Sequence, residues 1–357
     1  MDKLNAENKT LAFILKGPGE TEVKRIPVIR IPGPSLRVKM KACGICGSDI
    51  RYYQGENPWS LHTLGRNIPS PPNIVPGHEI SGVIEQDGRE KRVAILAYKG
   101  CGKCRYCLSG RENICENVQH LGHGTGWPTM EYYPGGMSEE FEVWEGFAYE
   151  IPENISFEEA TFLDGLAVVV HAMETAGFQE GKSVGIIGLG PIGIMAAQLA
   201  NFRGASIVYG CDPQKHPVRL ARNLGLTKTV QVESGEFARF MQLEKENFDI
   251  VFDTVGTPES INCALSVLDK SGVLTLLAVH GEPFPLATTA LSAERKIITS
   301  ANNKYKDFSE AIRILADGEI EVLPLITHRF SLLEAEKAFQ VMLEKEKNDA
   351  FKIILFP

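Results

Sequence analysis

Two textures of apolar and polar residues follow one another along the chain. Through residue 150 or so, apolar positions recur with a period near two in short runs, at 36–41 (LRVKMK), 80–84 (ISGVI) and 92–97 (RVAILA). Breaks rich in Pro and Gly, such as IPGP (31–34) and IPSPPNIVPGHE (68–79), separate them. Alternation interrupted by turn residues predicts irregular β-structure, and no amphipathic stretch there exceeds two helical turns. From about residue 156 the texture changes. SVGIIG (183–188) is a continuous apolar run that predicts a buried strand, and PIGIMAAQLANFRG (191–204) predicts a helix stopped by Gly204. A strand at 205–211, a helix ending near Gly225, a strand at 249–255, a helix over 258–268 and a strand at 272–279 continue the alternation. Strands separated by helices of this length imply βαβ crossovers and a parallel sheet. A strand near 296–301, helices at about 307–317 and 332–344, and a last strand, FKIILF, close the chain.

The chain has 357 residues, enough for two cores. With 43% hydrophobic and 23% charged residues it is not a mainly disordered chain. A net charge of −8 argues against a dedicated nucleic-acid binder, whose footprint is basic. The most apolar stretch, 184–197, is too short and too rich in Gly for a membrane span, so no membrane association is expected. MDKLNAENKT lacks the apolar region of a secretory signal, and the eight cysteines are too sparse for a disulfide scaffold, so a cytoplasmic setting is expected.

Four of those cysteines fall within fifteen residues: Cys101, Cys104, Cys107 and Cys115, spaced C-x2-C-x2-C-x7-C. A tight knuckle offering three thiolates with a fourth nearby meets the tetrahedral demand of zinc. An iron–sulfur cluster is the rival occupant. A closed four-thiolate set leaves no coordination position for chemistry, so the reading is a structural zinc site.

GLGPIG (188–193) is a G-x-G-x-x-G loop with Gly188, Gly190 and Gly193, enclosing Pro191 and Ile192. It follows a predicted strand, opens a predicted helix, and is succeeded 19 residues after Gly193 by an acid, Asp212. In that context the helix N-terminus receives a pyrophosphate and the acid takes the ribose hydroxyls. The bland alternative is a plain strand-to-helix turn with Asp212 as a cap. An acid there repels a 2′-phosphate and favours NAD over NADP, although Lys215, His216 and Arg219 leave NADP possible.

CGICGSD (43–49) and GHE (77–79) supply a thiol, an imidazole and a carboxylate, a mixed set that leaves room for water or substrate on a metal. Asp164, within the apolar run ATFLDGLAVVVHA, needs a cation, a metal or a helix-cap role to justify its charge.

Taken together, CGICGSD, VPGHEISG, CGKCRYC with its fourth Cys, GGMSEEFEV (135–143), the DGL at 164–166 and GLGPIG resemble the zinc-dependent medium-chain dehydrogenase/reductase family. The likeness is to its sorbitol, butanediol and threonine dehydrogenase-like branch and runs from about residue 10 to the C-terminus. The resemblance implies an α/β chain with a GroES-like β-rich catalytic domain and a Rossmann-type doubly wound parallel-sheet domain. Its implied bounds are 1–155 for the catalytic domain with the zinc lobe at about 98–118, 156–299 for the NAD-binding domain, and 300–357 for a return to the first. It further implies a catalytic zinc held by Cys46 and His78, with Cys43 not a ligand. Glu79 ligates directly or through water, Asp164 stands where relatives carry Glu and binds or orients the metal-bound water, and Ser48 meets the substrate oxygen and begins a proton relay. Cys43, Cys211 and Cys263 are left as unligated thiols.

The departures also inform. Arg51 stands where many relatives have a relay or specificity histidine, which disfavours L-threonine and leaves the proton exit unassigned. Pro217 replaces a basic residue that in relatives touches the adenosine ribose, so the resemblance leaves that contact to Arg219 or His216, with Val279 as a further cofactor contact; Asn302 and Asn303 lie near the place of an Arg-Tyr pair in sorbitol dehydrogenases, which disfavours sorbitol. The segments 57–64 and 124–133, with Trp59, Trp127, Tyr132 and Tyr133, exceed the family minimum and read as loop packing or a pocket wall. The leading expectation is a zinc-dependent oxidoreductase moving hydride between a secondary alcohol (polyol, cyclitol or sugar-like) and NAD, as a homodimer or homotetramer. Alternatives within the family are a butanediol- or threonine-type dehydrogenase or a carbonyl reductase. A non-catalytic NAD-binding zinc protein is the alternative of another class, and nucleic-acid binding through the lobe basics Lys103, Arg105 and Arg111 is a remote third.

Overall fold

The structure is a computed structural model and describes residues 8–357. A hairpin of β1 (Lys9–Gly17) and β2 (Glu20–Pro27) leads into β3 (Ser35–Ile45), β4 (Glu79–Gln86) and β5 (Arg89–Ile95). The short β6 (Tyr98–Lys99) and β7 (Gln119–His120) bracket the cysteine lobe, followed by β8 (Glu140–Trp144) and β9 (Ala148–Glu150). Next come β10 (Ser183–Ile187), β11 (Ile207–Asp212), β12 (Thr229–Gln231), β13 (Phe248–Asp253), β14 (Leu268–Leu276) and β15 (Lys296–Thr299). The chain ends with β16 (Ile326–Ser331) and β17 (Lys352–Phe356). Two compact units result. The first holds the described residues up to Asp164 with Lys304–Ala316 and Ile326–Pro357; the second holds Gly165–Asn303 and Asp317–Leu325. Among the described residues no helix is long and apolar enough to cross a membrane.

In the first unit β16-β17-β3-β4-β5-β9 form one sheet, with β8 also paired to β3. Alternate side chains of β3 are buried, as the period of two requires, until all four residues from Ala42 to Ile45 are enclosed. Phe13, Met40, Ile80, Trp144, Phe339 and Leu355 belong to its core, where the rings of Phe13 and Phe339 lie 4.7 Å apart. The cysteine lobe is tied down by Tyr305, the first residue of the helix Tyr305–Ala316. Its hydroxyl accepts the Gly100 N–H at 2.7 Å, and its own N–H donates to Glu112 Oε1 at 2.9 Å.

The second unit contains six parallel strands in the order β12-β11-β10-β13-β14-β15. Counted within the unit this is 3-2-1-4-5-6, the doubly wound arrangement, with the chain reversing direction across the sheet beside its first strand, β10. Val184, Ile186 and Ile187 of β10 are all fully buried, which is why the run reads as continuous apolar sequence and not as alternation. The sequence reading assigns no element between Gly225 and β13; the structure adds β12 and the helix Ser234–Glu244 there. That helix buries Phe237 and Met241, spaced i, i+4 among polar residues, an apolar stripe too narrow to stand out.

Of the aromatic segments, 124–133 is used for packing. Trp127 stacks on Trp144 with ring centroids 5.5 Å apart and donates its indole N–H to His120 O at 2.9 Å. Lys24 lies over the Tyr132 ring, and Tyr133 pairs its backbone with Val75 and Asn73.

A Tyr305→Phe substitution keeps the ring contacts but leaves the Gly100 N–H without its acceptor. The expected cost is about 1–3 kcal/mol, read as a lower Tm together with faster thiol labelling of the lobe cysteines. Unchanged Tm and labelling would show that the hydroxyl does not anchor the lobe.

Candidate metal centres and dinucleotide loop

The first unit gathers Cys46, His78 and Glu79 so that one ligand atom from each lies within 4.8 Å of the others. The backbone does this with three neighbouring elements. Cys46 is the N-cap of the helix Gly47–Tyr53, α1, and its N–H donates to Asp49 Oδ2 at 2.9 Å, closing a capping box. Asp49 is fully buried, and its Oδ1 accepts the Gly77 N–H at 3.3 Å and faces His78 Nδ1 at 3.7 Å. One carboxylate thereby fixes the loops bearing the thiol and the imidazole. Glu79 is the first residue of β4, so its position follows from the β3–β4 register, in which Gly44 lies opposite it.

Lys352, the first residue of β17, forms a buried ion pair with Glu79. β3 runs between their strands, and Gly44 is the residue they meet over; a Cβ there would strike the Glu79 carboxylate and the Lys352 chain. Burial alone would lower the Lys352 amine, but Glu79, Cys46 and Asp49 outweigh it and hold the amine above its usual range. Burial likewise works against a charged His78, yet Asp49, Cys46 and Asp164 raise its imidazole well above the ordinary value. Asp164, the second residue of the helix Leu163–Ala176, is pushed up to about 6 by burial, which His78 opposes and Glu79 reinforces. It stands outside the three-residue set, near enough for its charge to act on His78. Ser48 Oγ and His78 Nδ1 are buried without hydrogen-bond partners. Arg51 is bound to Glu56, with Nε 2.7 Å from Oε2.

Sequence reasoning singled out neither Asp49 nor Lys352, nor two histidines beside them. The capping spacing from Cys46 to Asp49 and a lone cation in the apolar strand KIILF were the available signals. His120 and His123 stack at 3.9 Å, and His78 meets their rings edge-on at 5.8 and 5.0 Å. His120 Nδ1 hydrogen-bonds Leu121 O at 2.7 Å, and burial pushes its imidazole down to about 3. Burial also drives His123 well below its usual value.

In the lobe, Cys104 Sγ lies 3.6 Å from Cys107 Sγ and 3.8 Å from Cys115 Sγ. All four sulfur atoms, Cys101 included, fall within 4.8 Å of one another. Zn–S bonds of about 2.3 Å at tetrahedral angles place sulfurs about 3.8 Å apart, far beyond a disulfide at about 2.05 Å. Backbone N–H groups of Cys101 and Asn117 donate to Cys115 Sγ at 3.2 and 3.3 Å, and that of Cys104 to Cys101 Sγ at 3.4 Å, as thiolate ligands require. Cys43, Cys211 and Cys263 are buried apart from these sets.

In the second unit, Gly188 directly follows β10 and Gly190 is the N-cap of the helix Pro191–Phe202. Gly190 offers no side chain to cap it, so the first N–H groups, those of Ile192 and Gly193 among them, point outward at the helix start. A Cβ on Gly193 would fall on the Gly188 carbonyl, so helix and strand can approach this closely only with glycine there. Asp212 ends β11, where Oδ2 accepts the Leu189 N–H and Oδ1 the Gln214 N–H, each at 2.9 Å. Arg219 is exposed on the helix Lys215–Asn223, 3.5 Å from His216, and Val279 lies beyond the end of β14.

The donor chemistry fits two metal ions of different use. The lobe gives four sulfurs and no gap. The other centre gives one sulfur, one imidazole and one carboxylate amid an excess of negative charge that favours a cation, with the unpartnered Ser48 hydroxyl beside it. Comparison with known proteins agrees. Residues 33–153 match the alcohol dehydrogenase GroES-like domain, and residues 191–317 match the zinc-binding dehydrogenase domain, together more than half of the chain. The chain is 26% identical to the sorbitol dehydrogenase of Bacillus subtilis over 97% of each protein. A zinc-binding dehydrogenase of Sinorhizobium meliloti 1021, described as putative and bound to NADP, superposes with a TM-score of 0.85 at 27% identity over 98% of this chain and 99% of that one. An alcohol dehydrogenase from Escherichia coli CFT073 in complex with NADH shares the fold, with a TM-score of 0.86 at 23% identity over 98% and 100%. With a structural four-cysteine zinc site, a catalytic Cys/His/Glu site and both family domains, the chain belongs to the zinc-dependent medium-chain alcohol dehydrogenases, oxidoreductases that use NAD or NADP.

Proposed function

We propose that this protein oxidises a secondary alcohol of the polyol, cyclitol or sugar-like class, with NAD as the hydride acceptor. The observation that carries the reading is the meeting of Cys46, His78 and Glu79 within 4.8 Å beside the buried, unpartnered Ser48 hydroxyl. Cys46 and His78 hold the catalytic zinc, and Glu79 is a third ligand, direct or through water. Asp164, outside the tight set, acts on water in the outer ring. When bound, the zinc supplies Lewis acidity that makes the substrate hydroxyl more acidic. Ser48 Oγ, whose lone pairs have no other donor, takes that proton as it releases its own to water, the first step of a relay. Arg51 does not carry it further, since a guanidinium stays protonated and this one is held by Glu56. Asp49 keeps the imidazole and thiol loops in place. In the second unit the N–H groups after Gly190 bind the pyrophosphate. Asp212, at the end of β11, takes the ribose hydroxyls, which supports NAD over NADP. Similarity to a sorbitol dehydrogenase supports the polyol class; Arg51, Asn302 and Asn303 argue for a substrate other than sorbitol or threonine.

A panel of polyols, cyclitols, diols and threonine with NAD and with NADP, followed by nicotinamide absorbance, tests the reading. Turnover of a polyol or cyclitol with NAD is expected, and no turnover of any alcohol by the zinc-loaded protein would refute it. The Cys46→Ser protein should hold one zinc in place of two and lose activity by at least a thousandfold, about 4 kcal/mol in the barrier. It should still bind NADH, read by fluorescence, with unaltered affinity. The Lys352→Met substitution strands the Glu79 carboxylate in the protein interior, and breaking a buried pair this way costs about 3–5 kcal/mol. Urea unfolding should register most of that loss and a Lys352→Met/Glu79→Gln double variant should recover much of it; additive losses would deny the coupling.

A further inference from the structure

The metal chemistry leaves one buried imidazole beside it unused. Both ring nitrogens of His123 are enclosed without a hydrogen-bond partner, and the residue is 7% exposed. Native interiors accept such a cost where water or a ligand completes the bonding. An imidazole enclosed in this way is neutral, with one N–H to donate and one lone pair to accept.

The fold presses His123 against the metal loop. Gly122, just before it, has a φ of +79°, and a Cβ there would strike the backbone of Gly77, the residue preceding His78. Gly77 O in turn accepts the Gly136 N–H at 2.9 Å, and the Gly122 N–H donates to Pro134 O at 2.8 Å. With the two segments held this closely, the His123 ring lies 5.0 Å from that of His78. Its orientation is set by rings and not by hydrogen bonds: it stacks on His120 at 3.9 Å and meets Tyr52 at 4.9 Å. Neither neighbour satisfies its nitrogens. His120 Nδ1 is bonded to Leu121 O, and the Tyr52 hydroxyl donates to Asn57 Oδ1.

Tyr52 also ties His123 to the reacting group. On α1 it stands four residues after Ser48, so the two side chains share one helix face, a turn apart. Ser48 is two residues from the ligand Cys46, and His123 packs on the ligand His78, so both orphaned groups border the metal centre. What His123 asks of a ligand is narrow. An anion is disfavoured, because Asp49 and Asp164 already act on His78 with negative charge. An ammonium only donates and would leave the imidazole N–H unmet. A hydroxyl both donates and accepts, and suits either nitrogen.

We propose that His123 is a specificity-determining residue that hydrogen-bonds the hydroxyl on the carbon next to the one oxidised, so that the substrate is a vicinal diol unit and not an isolated secondary alcohol. The proposal rests on the dehydrogenase reading and adds the hydroxyl pattern that the site selects. The 5.0 Å between the ligand ring and the His123 ring suits a hydroxyl on the adjacent carbon, with the first hydroxyl on the metal.

The test compares matched alcohols on the zinc-loaded full chain with NAD: butane-2,3-diol with butan-2-ol, and trans-cyclohexane-1,2-diol with cyclohexanol. In at least one pair kcat/KM should favour the diol at least tenfold. His123→Phe keeps a ring in the stack but removes both nitrogens, and should bring that ratio towards one. His123→Asn, which supplies a donor and an acceptor again, should recover most of it. Ratios near one in the unaltered enzyme, or a His123→Phe effect that is the same on diol and mono-alcohol, would overturn the assignment. Nitrogen-15 NMR of the histidine-labelled, zinc-loaded protein without NAD gives a readout independent of turnover, the His123 ring signals being identified by their loss in either variant. They should shift with a diol and stay in place with its mono-alcohol. Such a shift without turnover of any alcohol supports the His123 site and sinks the dehydrogenase reading; His123 signals that neither diol moves overturn the site whatever the rates.

Discussion

Charge concentrated out of water is the constraint on which the first unit depends. Cys46, Asp49, His78, Glu79 and Lys352 share one small volume, and Asp49, Glu79 and Lys352 are almost wholly enclosed. No such group is tolerable alone, so each is committed to another: Asp49 to two backbone N–H groups, Glu79 to Lys352, His78 to the field of its acidic neighbours. Within the strand order β17-β3-β4, Gly44 leaves space for a lysine and a glutamate to meet over the middle strand. A side chain at that residue would separate the pair and leave both charges stranded.

The surplus of negative charge gives the pocket its chemical character. Burial disfavours a positive imidazole at His78 and a positive amine at Lys352, yet both are driven upward. A pocket that raises its cations against desolvation is one in which a divalent ion is welcome. His120 and His123, a few ångströms away, go the opposite way, pushed down first by burial and then by the charge of neighbouring imidazoles, His78 among them. Neighbouring imidazoles in one unit therefore divide into a charge-favoured ligand and a neutral wall.

The lobe and the glycine loop solve simpler problems with local means. Four sulfurs and a few backbone N–H groups make the lobe, and its attachment needs little more than Tyr305 and Glu112. The loop works through backbone geometry, with Gly193 lying against the Gly188 carbonyl and Asp212 bracing the turn through the Leu189 N–H.

What the amino-acid sequence determined by itself is whatever is encoded locally. The β10 run, the Pro191 helix start, the glycine spacing with Asp212, and the four lobe cysteines were legible because each depends on residues a few positions apart. Cys46, His78 and Glu79 were legible through family likeness; singly they are unremarkable, since their meeting depends on register between strands. The narrow-striped helix Ser234–Glu244 escaped notice for lack of pattern. Tertiary structure alone decided that Lys352 answers Glu79 from 273 residues away, that Asp49 is the brace of the metal centre, and that Trp127 packs on Trp144. The reason is physical: a cation in a strand or an indole in a loop has no meaning until the fold supplies its partner.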